Sequence, residues 1–405
     1  METLQAFGDL QSPRVPSPLL KIIIRKKYGF GVEPDPPVSF NLSQREPWTG
    51  LVFVSPSLDL WPSLTAMDQK IKVAVIGTGA LGRHHARLYA DMHREGLVDC
   101  VGVFDKNESA AREVAGQHRL PTLPSMEEAT RQAQAFSIVT PTTTHFDIAS
   151  TLLREGKHLL VEKPMTDNTE QAAQLVQLSQ EKNSVLQIGH VERFNPVFAY
   201  LNESAKEPKF IETHRLSPYP ARSTDVGVVL DLMIHDLDVV LAFVKSPVVQ
   251  VDAAGVTVLS NSEDIANARL KFENGCVANL TVSRISPDRM RKIRVFSGGE
   301  NASYVSLDYR AQEGFIYRVA SEGETPSSFW TQLLASKKKD FKVVSEFAGK
   351  KIVREPVPIN KEEPLKLELR HFIECVRAKS EPAVSGASAK QALDLALEIT
   401  RQINN

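Results

Sequence analysis

Cysteine and tryptophan are scarce in this sequence, three of each among 405 residues. Cys100, Cys276 and Cys375 stand far apart and form no CxxC pair. That excludes a disulfide-framed secreted fold and a cysteine zinc site, and no metal site is expected. Charge of one sign is also missing, since 48 basic residues meet 49 acidic ones for a net of −1. A chain without a basic excess has no general pull toward nucleic acid, and none is expected as a partner. No apolar run approaches the roughly 18 residues that a membrane span needs, so no membrane partner is expected either. What remains is a soluble, cytoplasmic protein long enough to call for two domains.

Residues 1–66 differ in texture from the rest. Nine of the 24 prolines fall there, in runs such as SPRVPSP and VEPDPP, and they leave no long periodic pattern. Such a segment reads as a flexible Pro-rich extension. Its apolar stretch in LLKIIIRKKYGFG is too short for an anchor, and no cleavage site follows. Met67 directly precedes DQKIKVAVIG, where the folded pattern begins, so much of the extension reads as an appendage or the product of an early start codon.

From Lys70 onward strands and helices alternate. KVAVIGTG, VDCVGVFDKN, AFSIVTP, HLLVEKP and SVLQIGH read as strands, with amphipathic helices between them. This spacing predicts a parallel sheet covered on both faces over residues 67–190. Within residues 191–405 the pattern changes to short alternating strands, with an Asn-Gly hairpin signal in FENG. VVLDLMIHDLDVVLAFV interrupts them as a helix, and two further helices close the chain.

The first strand runs into GTGALG, comprising Gly77, Thr78, Gly79, Ala80, Leu81 and Gly82. In a strand-turn-helix setting the first glycine permits the tight turn and the second leaves room for a pyrophosphate. The third lets helix and strand approach, with the helix N-terminus toward the phosphates. Asp105 ends the second strand at the distance expected of a group that binds both ribose hydroxyls. Its charge repels a 2'-phosphate, so NAD is favoured over NADP. Thr140, Pro141 and Thr142 end the third strand at the crevice where a dinucleotide lies. His145 opens the next helix, where it caps, packs or contacts the cofactor. Glu162, Lys163 and Pro164 end the fourth strand at the same edge, and Gln187 of the fifth strand is assigned to the cofactor with them. Charges there are costly unless paired or wet, which leaves Lys163 as either an ordinary strand end or a group placed over a substrate.

Together VAVIGTGALGRHHAR, VTPTTTH, GKHLLVEKPM and the D-x-x-x-H core of DLMIHDLDVV resemble the glucose-fructose oxidoreductase, inositol dehydrogenase and MocA family, over residues 70 to 403. The resemblance implies an α/β protein with an N-terminal NAD(P)-binding Rossmann domain and a C-terminal α/β domain with a large, open, mostly antiparallel sheet. It also implies nicotinamide-dependent oxidation or reduction of a sugar or cyclitol, by a homodimer or homotetramer whose exposed sheet face needs a partner. The final helices are expected to pack back on the Rossmann domain.

Roles carry over to Lys163, at the reacting hydroxyl, and to the pair Asp231 and His235. Four apart on a helix, those two share a face. His235 is suited to take the hydroxyl proton, Lys163 to hold the oxygen, and Asp231 to contact substrate or orient the base. Asp236 is read as structural.

QIGHVERFNPVF reads as a strand end turning into a helix, with Arg193 and Asn195 either contacting phosphate or hydroxyl groups or bracing an interdomain turn. GHVERFNP also resembles the family branch that acts on UDP-N-acetylglucosamine and its uronic acid, giving the 3-keto sugar, a step found in lipid A biosynthesis. Arg215 and Arg222 are then candidates for a pyrophosphate or carboxylate. Two alternatives stand beside this reading. One is a dehydrogenase of a free sugar or inositol, and the other a non-catalytic dinucleotide-binding regulator.

Overall fold

The hydrophobic strand patterns build two sheets. The computed structural model describes residues 70–219, 226–299, 302–320, 342–347 and 349–405. The Pro-rich extension and Arg222 lie outside the described residues.

The first sheet holds β1 Ile71–Ile76, β2 Val98–Phe104, β3 Ala135–Ile138, β4 His158–Glu162 and β5 Leu186–Gly189. Its order is β2-β1-β3-β4-β5, and every pairing is parallel. Apolar runs such as the buried Val73–Ile76 of β1 fit a sheet covered on both faces. The crossovers are α1 Gly82–Arg94, α2 Glu108–His118, α3 Met126–Gln132, α4 His145–Arg154 and α5 Thr169–Glu181. Asn107, Ser125 and Asn168 cap α2, α3 and α5 by accepting hydrogen bonds from first-turn amides. The chain leaves β1 toward β2 on one side and returns to β3 on the other. A crevice therefore opens at the carboxyl ends of β1 and β3.

After α6 Pro196–Ser204, the second sheet comprises β6 Pro208–Leu216, β7 Val248–Val256, β8 Ile265–Phe272, β9 Val277–Ser283, β10 Met290–Ser297, β11 Ser303–Asp308, β12 Glu313–Val319, β13 Lys342–Phe347 and β14 Lys350–Pro356. Its order is β13-β14-β12-β11-β10-β6-β9-β8-β7, antiparallel except where β6 meets β9. Hairpin β13–β14 is an addition to the strands expected from sequence. The turn after β8 also differs from a two-residue Asn-Gly loop. Glu273, Asn274 and Gly275 form three residues between Phe272 and Cys276, with Gly275 at φ +82°.

Helices α7 Ile234–Val244 and α9 Gly386–Asn404 pack on each other, and α9 also meets α5 and β7. Helix α8 Pro364–Ala378 returns to the first sheet. There Leu369, Phe372 and Ile373 join Val73, Val75, Leu88 and Tyr89 in one buried cluster. At about 1.5–3 kcal/mol for each fully buried large side chain, this seam ties the chain's end to its nucleotide-binding half. The helix expected over DLMIHD is not uniformly α-helical. Val229–Met233 form a π-turn that runs directly into α7, and π-turns often mark functional sites.

Candidate active site

At the crevice the three glycines meet three different constraints. Gly77 sits at φ +95°, and a Cβ there would lie 2.4 Å from the Val139 carbonyl oxygen. A Cβ on Gly82 would lie 2.1 Å from the Gly77 carbonyl oxygen. A Cβ on Gly79 would meet nothing within 4 Å, so this glycine borders open space. No side chain caps the N-terminus of α1, where the Arg83 and His84 amides donate to the Gly79 and Leu81 carbonyls at 3.2 and 2.9 Å, and the positive end of the helix dipole faces the crevice. Asp105 is already oriented. One carboxylate oxygen accepts from the Thr78 amide at 2.7 Å and the Thr78 hydroxyl at 2.9 Å, and the other accepts from the Asn107 amide at 2.9 Å. Burial pushes its carboxyl up, but these bonds outweigh burial and hold it below its ordinary value. An open glycine turn, an uncapped helix and an anchored carboxylate together fit a dinucleotide whose ribose carries no 2'-phosphate.

Lys163, at the end of β4, reaches across to the π-turn. Its Nζ donates to the Asp231 carbonyl oxygen at 2.7 Å and lies 3.3 Å from Asp231 Oδ1. Lys163, Asp231 and His235 line one cavity of about 510 Å³, together with Ser217 and Tyr219 just beyond β6. The π-turn thus keeps Asp231 and His235 on the same side even though their segment is not a plain α-helix. Burial, with Lys163 and Arg215 adding positive charge nearby, holds His235 well below the ordinary imidazole value. It is neutral at physiological pH. Its Nδ1 is enclosed and has no hydrogen-bond partner among the described residues.

Several residues nominated from sequence are held elsewhere. Arg215 is 3% exposed, and its guanidinium is taken by Asp236 at 2.8 and 3.1 Å and by Glu192 at 3.0 Å. It braces the structure instead of meeting a ligand anion. Asp236 is structural, as expected. Arg193 pairs with Asp238 at 3.3 Å and donates to the Ala383 carbonyl at 2.8 Å. Asn195 is buried, caps α6 through the Val197 amide, and donates to Glu192 and to the Tyr309 carbonyl. Arg193 and Asn195 follow the bracing alternative.

Gln187 is fully buried, and its side-chain amide donates to the Glu368 carbonyl at 3.2 Å. Glu162 is buried and contacts His85 of α1 at 3.1 Å. His145 is also buried, and its two ring nitrogens lie 3.0 Å from the Pro164 carbonyl and 2.9 Å from the Thr140 carbonyl. Burial lowers its pKa, and a neutral ring can donate to only one of those carbonyls at a time. His145 thus lies between the Thr140–Thr142 loop and the Lys163–Pro164 loop.

The cations that do line the cavity were not singled out from sequence. Arg289, Arg291 and Arg310 are exposed on its wall. Neither Arg289 nor Arg310 has an ion-pair partner among the described residues, and Arg291 lies 3.8 Å from Glu192. The dense basic run in SRISPDRMRKIR was the available signal for Arg289 and Arg291.

Comparison with known proteins accords with this geometry. A family model described as an oxidoreductase family with an NAD-binding Rossmann fold matches residues 71–190. A GFO/IDH/MocA C-terminal domain model matches residues 189–305. The UDP-N-acetylglucosamine 3-dehydrogenase of Acidithiobacillus ferrooxidans is 34% identical over 331 residues, covering 81% of this chain and 96% of that protein. A solved structure of that enzyme superposes with a TM-score of 0.72 at 33% identity, over 83% of this chain and 98% of the other. The NAD-dependent scyllo-inositol 2-dehydrogenase of Bacillus subtilis is 25% identical over 361 residues, 84% of this chain and 96% of that protein.

Proposed function

The chain belongs to the GFO/IDH/MocA oxidoreductase family, and on that premise we propose that it oxidises the 3-hydroxyl of UDP-N-acetylglucosamine, or of its uronate, to the 3-keto sugar. The observation that carries the reading is the convergence of Lys163, Asp231 and His235 on one cavity walled by Arg289, Arg291 and Arg310. Three guanidinium groups supply forked donors for a diphosphate. A free sugar or inositol would give them no anion to bind.

NAD, when bound, accepts the hydride that leaves the sugar carbon. The hydroxyl proton goes to Nε2 of His235, whose other nitrogen is enclosed. The neutrality of His235 keeps that lone pair available. Lys163 donates to the hydroxyl oxygen and stabilises the negative charge that develops as the proton leaves. Asp231 holds the ammonium in place through its carbonyl and carboxylate.

The test combines purified protein, NAD and UDP-N-acetylglucosamine, with NADH absorbance and product mass as readouts and Lys163→Ala in parallel. A product lighter by two hydrogens from wild type, and none from Lys163→Ala, is the expected result. No product from wild type, even with a keto-acid acceptor to recycle NADH, would overturn the nucleotide-sugar reading in favour of free sugars and inositols.

The proposal extends to a homodimer or homotetramer built on the outer face of the second sheet. Phe210, Phe296, Tyr304 and Tyr317 form a row across four adjacent strands there, with ring centroids 5.6, 4.6 and 5.1 Å apart. A row of partly exposed aromatics favours a covering surface of the same kind. Light scattering is expected to give a multiple of the chain mass, and Phe296→Lys with Tyr304→Lys to shift it toward one chain. The reaction is assigned to the cytoplasm, where the buried free thiols Cys100, Cys276 and Cys375 fit a reducing environment.

A further inference from the structure

A base that works through Nε2 must carry its own proton on Nδ1, and an enclosed N–H requires an acceptor. Nδ1 of His235 has none among the described residues. A neighbouring ring is His190, just after β5, with ring centroids 6.2 Å apart and planes at 86°. His190 is 1% exposed, and its own Nδ1 is likewise enclosed without a partner among the described residues. Two unsatisfied nitrogens on two neighbouring buried rings are costly separately and satisfied together. The rings stand too far apart for a direct N–H···N bond of about 3 Å, and one bridging water between polar partners closes such a gap.

We infer that His190 is a positioning residue for the oxidation. Its neutral imidazole accepts, through one water, the Nδ1–H of His235 and so holds that base in the tautomer whose Nε2 lone pair faces the substrate hydroxyl. The inference rests on the reading of His235 as the base. Burial first, then the charges of Lys163 and Arg193, push His190 down to about 3, so it stays an acceptor at any working pH. Once His235 has taken the substrate proton, the same link steadies the Nδ1–H of the imidazolium. The contribution therefore grows toward the transition state and belongs in kcat more than in KM.

Two variants separate this role from packing. His190→Phe keeps a ring of similar size without an acceptor, and His190→Asn keeps an amide oxygen near the position of Nδ1. His190→Phe is expected to lower kcat roughly 10-fold or more with KM little changed, since base catalysis as a whole contributes about 10²–10⁴-fold. His190→Asn should retain most of the wild-type kcat. Nitrogen-15 NMR of the wild-type, NAD-bound protein is expected to find the His235 proton on Nδ1, a readout that holds even where His190→Phe fails to fold. A His190→Phe enzyme with wild-type kcat, equal losses in both variants, or a proton on Nε2 of His235 would each overturn the inference. Absence of sugar oxidation by the wild type would instead fall on the proposed reaction, and a His235 proton that stays on Nδ1 in wild type but shifts in His190→Phe would still decide the link between the two histidines.

Discussion

Lys163→Met is expected to lower kcat for the proposed oxidation by roughly 10²–10³-fold, the usual cost of removing one donor from a developing oxyanion. The binding of NAD should be nearly unchanged. Methionine keeps most of the lysine stem and its packing, so the substitution isolates the ammonium. That group is held at 2.7 Å by the Asp231 carbonyl and at 3.3 Å by its carboxylate, and it lines the cavity that His235 also borders. The cofactor crevice is built by other residues: Asp105 anchored on Thr78, the glycine turn, and the uncapped α1. Titrating NAD by fluorescence and measuring single-turnover rates separates the two effects. A variant with kcat within a few-fold of wild type would reduce Lys163 to a strut between β4 and the π-turn. Weakened NAD binding with intact turnover would move its role to the cofactor.

The nucleotide-binding half was legible because its signals are local. A glycine turn between a strand and a helix, and an acid at the next strand end, are short-range facts that the fold preserves. Lys163 was legible in the same way, as a charge at the end of an apolar strand. Which arginines line the cavity was not. Arg215 and Arg193 are silenced by Asp236, Glu192 and Asp238, acids 21, 23 and 45 residues away that only the tertiary fold brings near. One clue lay in the alternation of β6, where Ile211, Thr213 and Arg215 share the buried face. A guanidinium on that face needs carboxylates, not solvent or substrate. The π-turn at Val229–Met233 could not be read from the local pattern, because the one-residue shift it puts into the apolar period is hidden where the following helix is buried on nearly all faces.

The same burial gives the largest stability effect expected outside the apolar core. Arg215→Met should destabilise the protein by about 3–5 kcal/mol, the range for removing one partner from a buried ion pair. Glu192 and Asp236, 5% and 4% exposed, would be left as two unpaired carboxylates close to each other. Arg291, 3.8 Å from Glu192 and more accessible, can swing toward that acid, which places the cost nearer the lower end of the range. Urea unfolding followed by far-UV dichroism measures it as a lower midpoint at unchanged slope. The triple variant Arg215→Met, Glu192→Gln, Asp236→Asn tests the cause, because removing all three charges removes the unpaired anions together with the cation. It should recover most of the loss. A triple variant no more stable than Arg215→Met would assign the effect to packing of the arginine stem between β6 and α7, since charge would then play no part.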